Sequence, residues 1–385
     1  MLLKTVCNID QCAGCMACID ICPVAAITIQ DSLKAYNAVI DNEKCIGCNA
    51  CHRVCQSNNP ATTIKPVLWK QGWAEESIRS MSSSGGFGTA ILKAFIGDSS
   101  YIAACCFKDG KFVFDITNNP DEVWHFTGSK YVKSNPIGIF KNVKKCLQNH
   151  NRVLFIGLPC QVSSMRNYIG ETLSTNLYTV DLICHGSPSP QLLEASMNEY
   201  GFNLKNVKNI AFRKNANFGL RTNSKKIVPE RVQDRYLMAF LRGLCYTENC
   251  YNCQYAQINR VGDLTIGDSW GTDLEEEMRN GVSLALCQTK KGEELLLNSG
   301  LELKEVDIQK AIENNNQLRS PSDLPPERMK FFEILSESGN FNESVAQVYK
   351  KDCIKQDVKQ FLISHHILRG GRGVESNPYF IYIEE

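Results

Sequence analysis

CAGCMACIDICPVAAITI at residues 12–29 recurs as CIGCNACHRVCQSNNPATTI at residues 45–64. Each copy carries four cysteines in the spacing C-x2-C-x2-C-x3-C. Three cysteines on one tight loop can wrap a cubane iron–sulfur cluster, and the fourth then ligates the cluster of the other copy. The repeat therefore predicts two [4Fe-4S] clusters in a small α+β head over residues 1–64. We assign Cys12, Cys15, Cys18 and Cys55 to one cluster, and Cys45, Cys48, Cys51 and Cys22 to the other.

The tandem spacing distinguishes this head from other cysteine-rich segments. Zinc sites use C-x2-C pairs separated by longer loops, and disulfide scaffolds occur in short secreted chains. The head resembles a bacterial-type two-cluster ferredoxin. Its second run has Gln56 where the first has Pro23, a change that keeps every ligand. Cys7 lies outside the ligand pattern and is predicted to be a buried strand residue.

Composition limits the classes of function. The chain has 19 cysteines and no apparent export signal, which favours metal ligation in the reducing cytoplasm. The net charge of +1 argues against a nucleic-acid partner. No apolar run reaches the ~18–20 residues that span a bilayer, so we expect no membrane span.

The sequence beyond the head has the alternating pattern of an α/β domain. We place this domain at residues 72–308, after a linker at residues 60–71. Strands are predicted at 101–107, 152–157, 177–184, 264–268 and 283–288, with helices at 86–96 and 190–200. Residues 309–385 are predicted to form a helical extension and tail, with helices at 309–316, 326–338 and 341–368.

Four further cysteines have a distinctive placement. Cys160 and Cys184 each follow a predicted strand, and Cys250 and Cys253 form a C-x2-C pair. Since ligands of α/β sheets bind beyond the carboxyl ends of strands, these thiols could form a third four-thiolate site. The alternatives are buried packing cysteines, a zinc site at the pair, or ligation by Cys245. Packing positions in strands or helices are predicted for Cys105, Cys106, Cys146, Cys287 and Cys353.

A serine- and glycine-rich segment opens the helix predicted at 86–96. Free backbone amides and the positive dipole end suit a phosphate at such a helix start. Ser84, Gly85 and Gly86 could therefore approach a dinucleotide pyrophosphate. The alternative is ordinary helix N-capping.

Seven short motifs occur in an order that is informative as a set. They are SSGGF (83–87), GSKYVKS (128–134), FIGLPCQ (155–161), DLICHGSPSP (181–190), AFRKN (211–215), CYNCQYA (250–256) and GDLTIGDSWG (262–271). With them the chain resembles the family formed by the beta subunits of coenzyme F420-reducing hydrogenases and dehydrogenases. The resemblance implies a larger α/β flavoprotein domain that binds FAD beside a third [4Fe-4S] cluster.

The resemblance also implies roles for individual residues. Ligands of the third cluster would be Cys160, Cys184, Cys250 and Cys253. Residues at or near the flavin would be Ser84, Gly85, Gly86, Lys130, Arg213, Lys214 and Asp268. The usual Thr-Pro-Cys-Gln of the family is Leu158-Pro159-Cys160-Gln161 here, which removes a hydroxyl group and keeps the ligand.

We therefore predict an iron–sulfur flavoprotein oxidoreductase that relays electrons between the clusters and FAD. Its partners would be a ferredoxin or other low-potential donor or acceptor and a small-molecule substrate, with His185 as candidate proton donor. One alternative is an electron-transfer subunit of a larger hydrogenase or dehydrogenase complex, without a substrate of its own. Another is a cysteine hydrolase or transferase that uses Cys160 and His185.

Overall fold

The computed structural model describes residues 4–223 and 225–367, which form a mixed α/β structure around one large sheet. The last part of the predicted C-terminal tail, residues 368–385, lies outside the described residues. None of the helices in the described ranges combines the length and apolar character needed to cross a bilayer.

Thirteen strands and fourteen α-helices make up the described fold. The strands are β1 (Ile27–Asp31), β2 (Tyr36–Ile40), β3 (Leu68–Trp73), β4 (Ser100–Lys108), β5 (Lys111–Thr117), β6 (Arg152–Gly157), β7 (Leu177–Leu182), β8 (Ile210–Lys214), β9 (Asn217–Thr222), β10 (Lys225–Lys226), β11 (Leu264–Asp268), β12 (Ser283–Cys287) and β13 (Glu302–Lys304). The helices are α1 (Ala17–Ile21), α2 (Ala50–Val54), α3 (Glu76–Arg79), α4 (Phe87–Phe95), α5 (Ile139–Gln148), α6 (Pro159–Ile169), α7 (Pro190–Glu199), α8 (Arg235–Leu241), α9 (Glu275–Met278), α10 (Lys290–Leu297), α11 (Ile308–Asn314), α12 (Arg328–Ser338), α13 (Phe341–Val348) and α14 (Lys350–Ser364).

The eight-stranded sheet has the order β13-β3-β12-β11-β7-β6-β4-β5. Its four central strands, β11, β7, β6 and β4, are parallel, and the strands outside them pair antiparallel. Parallel strands are buried on both faces, which explains why they read as continuous apolar runs. The carboxyl ends of the central strands meet at one edge of the sheet.

Most predicted elements are confirmed. The strands at 152–157 and 264–268 coincide with β6 and β11, and α4 and α7 lie where helices were expected. The predicted linker is wrong at its end, because Leu68–Trp73 forms β3 between β12 and β13. The helix predicted at 341–368 is two helices, separated at Tyr349, whose φ of −113° and ψ of 46° are not helical.

The head is a β1–β2 hairpin with the short helices α1 and α2, and it packs directly on the body. Its Ala17 and Val54 belong to the same apolar cluster as Phe140 and Phe155 of the body. The buried carboxylate of Asp20 accepts backbone hydrogen bonds of 2.8 and 3.2 Å from Gly138 and Phe140 at the start of α5. Head and body are thus joined by a shared apolar core and by the Asp20 carboxylate, which caps the start of α5.

An ion pair between Arg260 and Asp181 is buried at the carboxyl end of β7, with 1% and 0% of the side chains exposed. Nη2 of Arg260 lies 3.0 Å from the Asp181 carboxylate and donates to the Leu182 carbonyl at 2.8 Å. Nη1 donates to the Tyr255 carbonyl at 2.7 Å. The backbone of Arg260 pairs with that of Ile64, the last residue of the head. One guanidinium therefore joins β7, the loop after residue 250 and the end of the head.

We predict that Arg260→Ala lowers the free energy of unfolding by about 3–5 kcal/mol, because Asp181 would remain as an uncompensated buried charge. The matched control is Arg152→Ala, which breaks a half-exposed pair with Glu294 and should cost less than about 1 kcal/mol. Urea denaturation of both variants measures the difference. Equal losses would contradict a central role of the buried pair.

Candidate functional site

The thiols of Cys12, Cys15, Cys18 and Cys55 surround a small cavity in the head, which we call the head cavity. These are the four residues predicted for one cluster. The Gly14 amide donates to Cys12 Sγ at 3.4 Å. Cys7 is buried as predicted, but it lies in a bend rather than a strand. Hydrogen bonds with Cys12 and Cys55 raise the pKa of Cys7.

The second predicted set, Cys22, Cys45, Cys48 and Cys51, lies at the surface of the head. Burial raises the pKa of Cys51, and the charges of Cys22, Cys45 and Cys48 add to that effect. Cys48 is exposed, and the neighbouring Ile46 is 64% exposed. This set therefore faces solvent, whereas the first set faces the body.

The two cysteine loops share their backbone geometry. Gly14 and Gly47 both have a φ of +71°, and Met16 and Asn49 follow with φ values of 59° and 56°. A Cβ on Gly14 would lie 2.7 Å from the ring of Tyr36, whereas a Cβ on Gly47 would meet nothing within 4 Å. The sequence repeat is thus a structural repeat in which only the first copy is enclosed.

The third predicted set lines a cavity of about 260 Å³ between head and body, which we call the central cavity. Its thiols are Cys160 at the start of α6, Cys184 after β7, Cys250 and Cys253. Cys245, the alternative ligand, is fully buried in a separate apolar core and does not line this cavity. The structure therefore brings together the same four thiols that the motifs indicated.

The thiols of the third set lie in a low-dielectric environment. Burial raises the pKa of Cys160 well above its ordinary value. Burial, followed by the charges of Cys250 and Cys253, raises the pKa of Cys184 to about 12. A nucleophilic cysteine needs a lowered pKa, so this environment does not favour the cysteine-enzyme alternative. A bound metal deprotonates a coordinating thiol outright, which suits such buried thiols to ligation.

The head cavity and the central cavity are neighbours. Cys7, Ala13 and Gln56 line both of them. Ser164, one helical turn after Cys160 on α6, donates to Cys15 Sγ at 3.0 Å. One helix of the body therefore carries a thiol of the third set and contacts a thiol of the first.

A further cavity of about 280 Å³ lies at the carboxyl ends of β6, β7 and β11, and we call it the sheet-edge cavity. It shares Leu158 and residues 184–187 with the central cavity. Its aromatic lining includes Tyr131, whose ring stacks on Phe240 at 4.6 Å. The cavity is thus largely apolar and aromatic, and Cys184 of the third cysteine set lies in the thin wall that it shares with the central cavity.

The serine- and glycine-rich segment reaches this cavity only in part. Ser84 and Gly86 line it, and Gly86 has a φ of +87° at the N-terminus of α4. Gly85 does not line it, which corrects the sequence assignment. A Cβ there would lie 2.5 Å from the Gly72 carbonyl oxygen, so Gly85 allows close packing against β3. Ser83, which the sequence analysis did not select, lines the cavity and accepts a hydrogen bond of 2.8 Å from the Ser129 amide.

Lys130 also lines the sheet-edge cavity, and burial lowers its pKa. Its Nζ donates to the carbonyls of Phe126 and Thr127 at 2.7 and 3.1 Å. An ammonium group has three donor hydrogens, so one is left for a ligand. The Lys130 ammonium group is therefore held in place and still has one N–H that can donate to a ligand.

Arg213 and Asp268 form a bidentate pair at 2.7 and 3.1 Å on the wall of the same cavity. The guanidinium carbon of Arg213 lies 4.7 Å from the ring centroid of Phe218. Lys214 is exposed and does not line the cavity, contrary to the sequence assignment. Successive side chains of β8 point to opposite faces, so only one of the two cations can face inward.

His185 lines both the central and the sheet-edge cavities. Burial lowers its pKa to about 4. The imidazole is therefore neutral near pH 7, and it can pass on a proton only after it has accepted one.

The donor sets suit clusters rather than single ions. Within residues 4–223 and 225–367, no group of three or more His, Cys, Asp or Glu side chains is arranged to hold one metal ion. A cubane presents four separate irons, so its thiolates stand farther apart than the ligands of a single zinc. The first and third sets each provide four thiols around one cavity, as a [4Fe-4S] cluster requires. The second set repeats the backbone geometry of the first loop.

Parts of the chain are similar to known proteins. Residues 11–59 match the 4Fe-4S dicluster domain. The F subunit of the F420H2 dehydrogenase of Methanosarcina mazei is 22% identical over 285 residues, which cover 68% of this chain and 78% of that protein. A chain of the xenon-derivatised F420-reducing [NiFe] hydrogenase complex of Methanosarcina barkeri is 18% identical, with a TM-score of 0.45 and coverage of 82% and 98%. Residues 150–313 match the C terminus of the coenzyme F420 hydrogenase/dehydrogenase beta subunits, so this part of the chain is similar to that family, as the head is to the 4Fe-4S dicluster domain.

Proposed function

We propose that the chain is an iron–sulfur electron-transfer subunit of a hydrogenase- or dehydrogenase-type complex. The observation that carries the proposal is the row of three four-cysteine sets, which runs from the surface of the head to the sheet-edge cavity. The relative from Methanosarcina mazei is named as a dehydrogenase subunit, which supports a role within an assembly.

Bound [4Fe-4S] clusters would supply single-electron transfer, at potentials set by charge, hydrogen bonds to sulfur and solvent exposure. The chain offers a different environment at each set. Ser164 and the Gly14 amide donate to sulfurs of the first set. The Ala26 amide donates to Cys22 of the second set at 3.3 Å. These bonds orient the thiols and reduce the negative charge on their sulfurs.

The second set is the proposed point of exchange with a partner. Its loop is exposed around Cys48, and Ile46 offers an apolar contact beside the thiols. A ferredoxin, another low-potential protein or a partner within the same complex could approach this loop without moving the body. The first set is enclosed and suits transfer inside the protein.

We further propose FAD as the occupant of the sheet-edge cavity, where it would couple single-electron steps to transfer of a hydride. A flavin needs a flat apolar surface for its rings and cations or amides for its phosphates. Tyr131 and Phe240 supply the first, and Lys130, Arg213 and the start of α4 supply the second. The thin wall at residues 184–187 supports exchange with the third set.

A second candidate function is reduction or oxidation of a small molecule at the sheet-edge cavity by the chain itself. His185 favours it, because this neutral imidazole borders the cavity and can relay a proton. The chain would then need its head only to receive or discharge electrons. Turnover of a small molecule by the purified chain separates this candidate from a chain that acts only with its partner.

We predict about 12 irons per chain after anaerobic purification, from three four-iron clusters. Cys160→Ala should lose about four of them, because it removes a thiol of the third set. The control is Cys287→Ala, a fully buried cysteine of β12 outside all three sets, which should keep every iron. Iron and sulfide analysis gives the result. Full iron content in Cys160→Ala would exclude Cys160 as a ligand, and eight irons in the parent chain would exclude the third cluster.

We predict that Lys130→Gln weakens FAD binding about tenfold or more, since a hydrogen bond from a charged donor contributes about 1.5–3 kcal/mol. Lys214→Gln is the matched control, because this lysine is exposed and should leave affinity within about twofold. Flavin fluorescence on titration of the flavin-free chain measures both affinities. An equal effect of the two variants would argue against the sheet-edge cavity as the flavin site.

We predict that Ile46→Asp slows electron exchange with a reduced ferredoxin about tenfold, because it places a carboxylate at the proposed contact. Val67→Asp is the control, since Val67 is an equally exposed aliphatic residue outside the cysteine loops. Stopped-flow absorbance at constant ionic strength measures the bimolecular rate. Unchanged exchange in Ile46→Asp would move the contact away from the second set.

A further inference from the structure

Six cationic residues are buried as whole residues in the described part of the chain, and five of them are arginines that pair with a carboxylate. These are Arg79, Arg213, Arg235, Arg260 and Arg328. The sixth is Lys133, which is only 5% exposed and has no carboxylate partner among the described residues. Burial of an unpaired ammonium group is costly, so its charge needs a counterpart.

The contacts of Lys133 place its charge between the first and the third cysteine sets. Its Nζ donates to the Ala13 carbonyl, inside the first cysteine loop, at 2.9 Å. It also donates to Ser187 Oγ, three residues after Cys184, at 3.3 Å. Lys133 lines the central cavity, and its ammonium lies 5.4 Å from the ring centroid of Tyr36 in the head.

The backbone fixes this position. The Lys133 amide donates to the Pro188 carbonyl at 2.9 Å, so the segment of Lys133 is tied to the segment that follows Cys184. Lys130, three residues before Lys133, lines the sheet-edge cavity. Burial raises the pKa values of Cys160 and Cys184, and the charge of Lys133 opposes that effect at both thiols.

We propose that Lys133 is the shared electrostatic partner of the first and third cysteine sets, and that its charge raises the reduction potentials of the clusters bound at both. This inference rests on the proposed iron–sulfur function. Reduction adds one electron to a four-thiolate site that is already negative, with no bond formed or broken. A fixed cation nearby stabilises the reduced state more than the oxidised state.

The test is an anaerobic titration of the full-length, iron-loaded protein with dithionite, followed by electron paramagnetic resonance. In Lys133→Gln, the equilibrium constant for one-electron reduction should fall about tenfold at two of the three clusters, which is a shift of about 59 mV at each. The cluster of the exposed second set should keep its potential and acts as an internal reference. Lys133→Arg should stay close to the parent protein, and so should Lys208→Gln, which changes an exposed lysine before β8.

Each outcome decides the inference. Unchanged potentials in Lys133→Gln, or an equal shift at all three clusters, would overturn it. If Lys133→Gln loses iron, retention of iron by Lys133→Arg supports a role of the charge, and loss of iron from both variants overturns it. A parent protein without iron–sulfur signals would instead defeat the proposed function, so the two failures are distinguishable.

Discussion

The buried pair of Arg260 and Asp181 is the constraint on which the third cysteine set depends. Cys184 follows β7 by two residues, and the Cys250–Cys253 pair lies on a distant loop with little regular structure of its own. The guanidinium holds the carbonyls of Leu182 and Tyr255, one on each side. Asp181 also accepts from the Val261 and Gly262 amides at 3.1 and 2.8 Å. Two segments far apart in sequence thus converge because one ion pair satisfies the polar groups of both.

The sites also share a common electrostatic problem. Thiols that are to bind iron lie in apolar surroundings, where burial disfavours the thiolate. The chain supplies N–H and O–H donors to individual sulfurs and one buried ammonium between two sets. At the sheet edge, by contrast, Arg213 is already neutralised by Asp268. The charge of Arg213 is therefore compensated within the protein, whereas the ammonium of Lys130 at the same cavity contacts, among the described residues, only the carbonyls of Phe126 and Thr127.

Local spacing and strand periodicity made much of this architecture predictable from sequence. The grouping of Cys12, Cys15 and Cys18 with Cys55 followed from the repeat, and the apolar runs of β6 and β11 marked the sheet edge. Gly85 and Lys214 could not be assigned correctly, because their roles depend on packing against β3 and on which face of β8 points inward. In the sequence, Lys133 was marked only by its place in the motif GSKYVKS. Its lack of a carboxylate partner is a tertiary property.

The two copies of the cysteine repeat show how packing gives different roles to one motif. Their loops have left-handed residues at equivalent positions, so the backbone follows the same path in both. Tyr36, Ser164 and Lys133 surround the first loop, while the second loop keeps Cys48 and Ile46 in solvent. Solvent exposure and nearby charge both change the potential of a cluster. Docking of one loop against the body is therefore sufficient to turn a symmetric pair of loops into an inner, enclosed site and an outer, exposed one.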